Sequence, residues 1–456
     1  MKVCLTHFHS TKHLNFSVSI AKYLNHESID VCFITNKVFI KKVIEDKYGF
    51  ECELLFDFSN GCSFLDYRIN DEWEKISSLY DINENIDKFV EVEWKQNRHE
   101  YTSKDELKLV CIEKFYNIEN AYKKLNYDYL FQPLASELDR RIAFFFSKKR
   151  AQTFFYHVSL LPRKQFIFCE DELGKPFLGF NKVYDQVFEI SDFQRWLIKD
   201  RSSNKYLRKV LNNREQIYTK FVLFRNSRFF WFLFSRYKRL VRFETRILMK
   251  FLERFRRSHE IGISFKELIN KNYIFYTVHQ PEEAQTIIRG YHNIDELELI
   301  RLISYNLPPS VKLVVKLHPR VEYTYTNKFL KQLKGLPNVL IAKSRIDSLD
   351  IAKNSCGVMT ISSSIWMECL ILNIPCYTFG HGTFDAFEKY PYRITIEKIY
   401  LIAKKLISDS SRDRVFDKDL LNKLYQNSFS FERNAVDANS YKGLARAISQ
   451  LLGIYK

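Results

Sequence analysis

Short apolar runs alternate with amphipathic stretches through most of the chain. Lys2–Phe8 is such a run, and Val18, Ala21 and Leu24 follow at helical spacing. Val31–Ile34 then predicts a short strand that ends at Thr35-Asn36. Residues 70–124 are charged and helical in texture. After them come a strand at Tyr129–Phe131, a helix at Leu138–Lys149 and a strand at Thr153–Val158. A β-α-β rhythm of this kind predicts a parallel sheet with helices on its faces.

The rhythm breaks over 175–265 and resumes at Asn272. Five further strands are expected at Ile274–Val278, Val311–Leu317, Val339–Ile341, Val358–Ile361 and Cys376–Phe379, and Tyr441–Leu452 predicts a last amphipathic helix. The fold class is therefore α/β: an N-terminal Rossmann-like unit over 1–200, a helical connector over 201–265, a second Rossmann-like unit over 266–430 and a C-terminal helix within 431–456, able to pack back across the domains. In Phe221–Arg257 aromatic and basic residues interleave, which suits a connector packed on both units or a segment lying on an anionic membrane surface. Nucleic acid is not expected there, because no recognisable nucleic-acid module accompanies the segment.

The 456 residues exceed one ordinary core. A formal charge of +17 points to an anionic partner without naming it. Nine scattered cysteines without a CxxC pair fit a reducing compartment and no metal site. Met1-Lys-Val-Cys-Leu-Thr-His turns polar too early for a signal peptide, and no apolar run nears the ~20 residues of a membrane span. A cytoplasmic protein, soluble or peripheral on the inner face of the membrane, is expected.

Chemistry concentrates where predicted strands stop. His318 follows the apolar run Val311–Leu317, and Pro319 ends the strand by withholding an N–H. That leaves an imidazole, with Arg320 beside it, at a sheet edge where a phosphate oxygen could accept from it. Ser362, Ser363 and Ser364 stand between a strand and a helix carrying Glu368. They can cap that helix, with Glu368 as the reciprocal acceptor of a capping box, or cradle an anion with Glu368 turned to ribose hydroxyls. Gly380 permits a close backbone approach or simply a turn. His279, Gln280 and Glu282 close another strand and either face a cleft or form a surface loop. Near the first unit's strand ends, Glu137, Asp139 and Asp171 are carboxylates suited to general-base work or to capping. The cluster His7, His9, His13 lacks a cysteine or paired carboxylate, so no metal is expected.

The ordered set Gln280-Pro281-Glu282, Leu307-Pro308, Lys316-Leu-His318-Pro319, Thr360 to Glu368 and Pro375 to Gly380 resembles the bacterial capsule polysaccharide biosynthesis family, which includes Kdo transferases. Leu161-Pro162 and Asp171-Glu-Leu-Gly174 resemble that family's first-half motifs, with His157-Val-Ser159 where a glutamate is usual. The resemblance implies a GT-B fold and a metal-independent glycosyltransferase without cofactor. It implies a donor that is a CMP-linked sugar, such as an activated ulosonic acid, and an acceptor that is a surface polysaccharide or glycolipid. His318 would contact the donor phosphate, Ser362 to Ser364 would hold it, and Glu368 would lie near the ribose. A CDP-polyol phosphotransferase and a GT-B binding subunit without chemistry are the alternatives.

Overall fold

The computed structural model describes residues 1–8, 14–55, 68–97, 101, 103–134, 137–160, 165–179, 189–202, 262–279, 287–290, 295–318, 327–343, 346–386, 392–408, 418–430 and 440–454. The basic-aromatic segment Phe221–Arg257 lies outside them, as do Leu161-Pro162, Gln280, Glu282, Pro319 and Arg320.

The first sheet holds β1 (Lys2–His7), β2 (Asp30–Thr35), β3 (Glu51–Leu54), β4 (Tyr129–Pro133), β5 (Gln152–Leu160), β6 (Gln165–Cys169) and β13 (Ser428–Ser430) in the order β13-β6-β5-β4-β1-β2-β3. β1 to β5 run parallel, whereas β6 and β13 join the edge antiparallel. Ser428–Ser430, which the sequence reading placed in the second unit, thus pairs in the first. The helix Ser440–Ile454 follows it back: Leu444, Ala445, Ile448 and Leu451 share one apolar cluster with Leu14, Val18 and Ala21 of the helix Leu14–His26.

The second sheet holds β7 (Tyr273–Thr277), β8 (Lys312–Lys316), β9 (Val339–Ala342), β10 (Gly357–Thr360), β11 (Cys376–Thr378) and β12 (Tyr392–Arg393). All pairs are parallel, in the order β12-β11-β10-β7-β8-β9. Both sheets are doubly wound: each winds outward from its first strand in one direction, then returns to the other side of it. The α/β expectation of two Rossmann-like halves is met, and two such sheets in one chain give the GT-B architecture. The five strands expected from Ile274 onward all form, each with ends shifted by a residue or two. β3, β6, β12 and β13 are short and were not legible as strands.

One apolar cluster joins the two units. It takes Cys4, Ile34 and Leu130 from the first sheet, Phe275, Val314 and Val358 from the second, and the helix Ile365–Ile371. The helix Ile190–Ser202 reaches the same place, with Phe193 and Leu197 in the cluster and Gln194 Nε2 donating to the Ile371 carbonyl at 3.3 Å. The eight described cysteines are free.

Inside the first unit, Arg141 of the helix Leu138–Lys148 is 2% exposed. Its Nε and Nη2 donate to Glu172 at 2.8 and 3.1 Å, Nη2 also to Glu84 at 2.8 Å, and Nη1 to the Phe89 carbonyl at 2.8 Å. The guanidinium lies 4.2 Å from the Phe89 ring centroid. Burial opposes its charge, yet Glu172 and Glu84 outweigh burial and push its pKa further up. Replacing Arg141 by Met leaves two half-buried carboxylates uncompensated and should cost about 3 kcal/mol. Arg141→Lys should recover only part of that, since one ammonium cannot match the guanidinium fork. Urea unfolding of the three proteins checks the order; equal midpoints for Lys and Arg would refute the fork argument.

Candidate active site

In a doubly wound sheet the crevice opens where the winding reverses, beyond the carboxyl ends of the two innermost strands. For the second sheet these are β7 and β10. Thr277 and Thr360 close them, with their hydroxyls 2.9 Å apart. Lys316 ends β8 in register with Thr277, and Thr378 ends β11 in register with Thr360. A polar row, Thr378-Thr360-Thr277-Lys316, therefore crosses the strand ends on the face that is apolar one step earlier at Cys376, Val358, Phe275 and Val314. Lys316 is buried, and its Nζ donates to Ser348 Oγ at 3.0 Å.

Two residues beyond these strand ends stand Ser362, His279 and His318, and of these Ser362 and His279 meet. His279 is buried and fixed from two directions. Its Nδ1 faces Glu296 Oε1 at 2.9 Å, so Nδ1 carries the proton and Nε2 accepts, here from the Ser362 N–H at 3.3 Å. Glu296 Oε1 also accepts from the His279 N–H at 2.9 Å and the Tyr276 hydroxyl at 3.1 Å. His279 thus clamps the β7 end to the serine loop. His318, half-buried, stands two residues past the end of β8.

Two N–H groups of the serine loop are engaged within the protein, and the expected capping box with Glu368 does not form. The Ser363 N–H donates to Thr360 Oγ1 at 3.3 Å, and Ser363 Oγ accepts weakly from the Ile365 N–H at 3.5 Å. Ser364 is the N-cap of Ile365–Ile371, yet its side chain makes no capping bond, and it is exposed. With Ser364 at the cap, the third helical position is Met367, so Glu368 is one residue too late to close a capping box. Glu368 is buried instead.

Gly380 forms an isolated bridge with Gly290, and a Cβ there would sit 2.4 Å from the Arg289 carbonyl. The glycine therefore admits another strand of backbone. Next to it, His381 Nδ1 meets Asp385 Oδ2 at 3.0 Å and Arg393 Nη2 at 2.8 Å.

In the first unit, Glu137 precedes the helix Leu138–Lys148 and pairs with Arg140 at 2.9 Å. Asp139 is buried; Oδ1 faces the Lys114 ammonium and Oδ2 accepts from Asn36 Nδ2 at 2.6 Å. Asp171 Oδ1 accepts from the N–H groups of Gly174 and Lys175, both at 2.9 Å, closing the loop after β6. That loop touches the second unit: a Cβ on Gly174 would lie 3.8 Å from Gly382 Cα. The structure thus brings Ser362 and His279 together, puts His318 two residues past the end of the neighbouring strand, and leaves the three carboxylates on separate tasks in the other unit. Glu296 and Lys316 went unnoticed in the sequence as site residues, although Lys316 stands two positions before His318.

Residues 213–387 match the family described as capsule polysaccharide biosynthesis protein. The match spans less than half of the chain. It takes in β7 to β11 and every strand end of the row. No curated protein matches the chain. Among solved structures, the beta-Kdo 2,7-transferase KpsC of Thermosulfurimonas dismutans is 14% identical, with 74% of this chain and 89% of that chain covered and a TM-score of 0.35. HepE of Anabaena, solved with UDP and glucose, is 10% identical with 99% of each chain covered and a TM-score of 0.31. The UDP-GlcNAc 2-epimerase of Methanocaldococcus jannaschii is 12% identical, with 99% and 100% covered and a TM-score of 0.29. Likenesses this distant leave the architecture to be read from the sheet order itself.

Two measurements test the local energetics. Glu296→Ala strips one acceptor from three donors and should cost about 2–4 kcal/mol, whereas Glu296→Gln, whose amide oxygen still accepts, should cost less. Equal urea midpoints for the two variants would show that Glu296 does not anchor His279. For the Lys114–Asp139 pair, burial opposes the lysine charge and the carboxylate outweighs it, so the Lys114 pKa is raised. Its contribution is complete below the ordinary lysine value of about 10.4 and fades as pH rises through the raised folded value. The stability gap between the protein and Lys114→Met should stay flat from about pH 6 to about pH 10 and narrow above.

Proposed function

We propose that this chain is a glycosyltransferase of surface-polysaccharide synthesis that binds its nucleotide-sugar donor at the winding reversal of the second sheet. The pairing of Ser362 with His279 beyond Thr360 and Thr277, with His318 two residues past Lys316 on the neighbouring strand, carries the reading. A leaving nucleotide develops negative charge on its phosphate, and groups fixed in advance stabilise it without reorganising. His318 and the uncapped Ser364 hydroxyl offer donors to that phosphate, and the buried Lys316 ammonium lies beneath the loop. His279 serves as a positioning residue, because both ring nitrogens are already engaged. Neutralisation by these groups would let transfer proceed without a metal.

The donor in this reading is CMP-linked, an activated ulosonic acid such as Kdo, and the acceptor is a capsule or other surface saccharide or glycolipid. The first unit supplies the acceptor side. The Glu137 side chain is 40% exposed against 10% for Asp139, and Asp171 is engaged by two backbone N–H groups, so Glu137 is the proposed base. The charge of +17 suits work at an anionic membrane face. Among the described residues no helix is long and apolar enough to cross a membrane, so contact there would be peripheral.

His318→Ala should weaken CMP binding by calorimetry about tenfold, or about 1.4 kcal/mol. Unfolding should be unchanged. Glu137→Gln should retain CMP affinity and lose transfer. Unaltered CMP affinity and unaltered transfer in a folded His318→Ala protein would remove the donor assignment.

A further inference from the structure

The first sheet has its own winding reversal, between β1 and β4. Leu5 is opposite Phe131, so Thr6 lies beside Gln132, and Asn36 follows β2 on the same face. We infer that Thr6, Asn36 and Gln132 form a subsite for an uncharged, hydroxyl-bearing ligand, the edge of a saccharide ring.

Three observations carry this. First, Thr6 Oγ1, Asn36 Oδ1 and Gln132 Oε1 are buried atoms without a hydrogen-bond partner. Thr6 is 5% exposed and Gln132 0%, and such atoms are costly to leave unpaired. Secondly, the amide orientations are set by their neighbours. Asn36 Nδ2 must donate to Asp139, and Gln132 Nε2 donates to the Arg140 carbonyl at 3.1 Å. The carbonyl oxygens are therefore the atoms left over, and each calls for a donor. Thirdly, the cations nearby are already balanced: Lys114 by Asp139 and Arg140 by Glu137. Two amide oxygens with no free positive charge among the described residues disfavour phosphate or carboxylate and favour hydroxyl groups, with the Thr6 hydroxyl able to donate or accept. Asp139 acts here as a positioning residue that fixes Asn36.

The inference rests on the proposed transferase reading only in taking the hydroxylated ligand to be the acceptor saccharide. Thr6→Val is nearly isosteric and removes an unpaired polar atom, so its thermal midpoint should equal or exceed that of the parent. Saturation-transfer NMR on the full chain, with neutral methyl hexopyranosides as probes, tests the subsite. Thr6→Val and Gln132→Met should weaken the response about fivefold to tenfold, and Thr6→Ser, which keeps the hydroxyl, should retain it. A carboxylated glycoside should compete poorly. Absence of a response in the parent protein would overturn the inference and leave a water-filled niche as the explanation. An unchanged response in folded Thr6→Val, or equal competition by the carboxylated glycoside, would also overturn it. CMP titration of the same samples separates the two readings, since a protein that binds the glycosides and no CMP keeps the subsite and loses the donor assignment.

Discussion

Arg141 is the contact on which the arrangement of the first unit turns. A guanidinium at 2% exposure is tolerable only when its charge and its donors are answered, and two carboxylates, a carbonyl and an aromatic face answer them. Those partners come from separate segments. Glu84 precedes the helix Ile86–Phe89, and Glu172 sits in the loop after β6. Holding Glu172 holds the whole turn from Glu170 to Lys175, which Asp171 closes from within. That turn in turn rests against Gly382, so a charge network buried in one unit fixes the surface presented to the other.

The same logic of unsatisfied groups explains why function gathers at strand ends. Within each sheet the backbone saturates itself, and the inward side chains are apolar. At the reversal the connections leave to opposite sides and polar residues meet at the strand ends. In the second sheet this gives hydroxyls on Thr277 and Thr360, the Lys316 ammonium and two imidazoles. The glutamate that organises them, Glu296, lies in the first turn of Glu296–Tyr305, where a carboxylate is also welcome for the helix dipole. One residue thus satisfies a local rule and a long-range one together.

That double satisfaction limits what a sequence can disclose. Most of the parallel strands were legible because their apolar runs are continuous and end abruptly; the four-residue β3 was an exception. β6 and β13 were not, since an antiparallel edge strand of a few residues has no period to detect. His279 and His318 stood out as imidazoles at strand stops, but that their strands are neighbours follows from the strand order, which periodicity does not contain. Glu296 looked like ordinary first-turn chemistry, so its three distant donors had no local trace. The serine loop failed at the level of a single residue: a helix starting at Ile365 puts Met367 where a capping box needs Glu368.

The two reversals also differ in sign, and this decides what the strong basic charge means. In the first unit the buried cations are spoken for: Lys114 by Asp139, Arg140 by Glu137, Arg141 by Glu84 and Glu172. What remains unpaired there is mainly acceptor capacity on Asn36 and Gln132. In the second unit the strand ends carry donors. Net charge summed over the chain averages these away, because a paired cation counts as much as one that can meet a ligand. On the proposed reading hydroxyl groups go to the first edge and an anionic phosphate to the second, so the polarity of each edge, more than the total of +17, would set which ligand each takes.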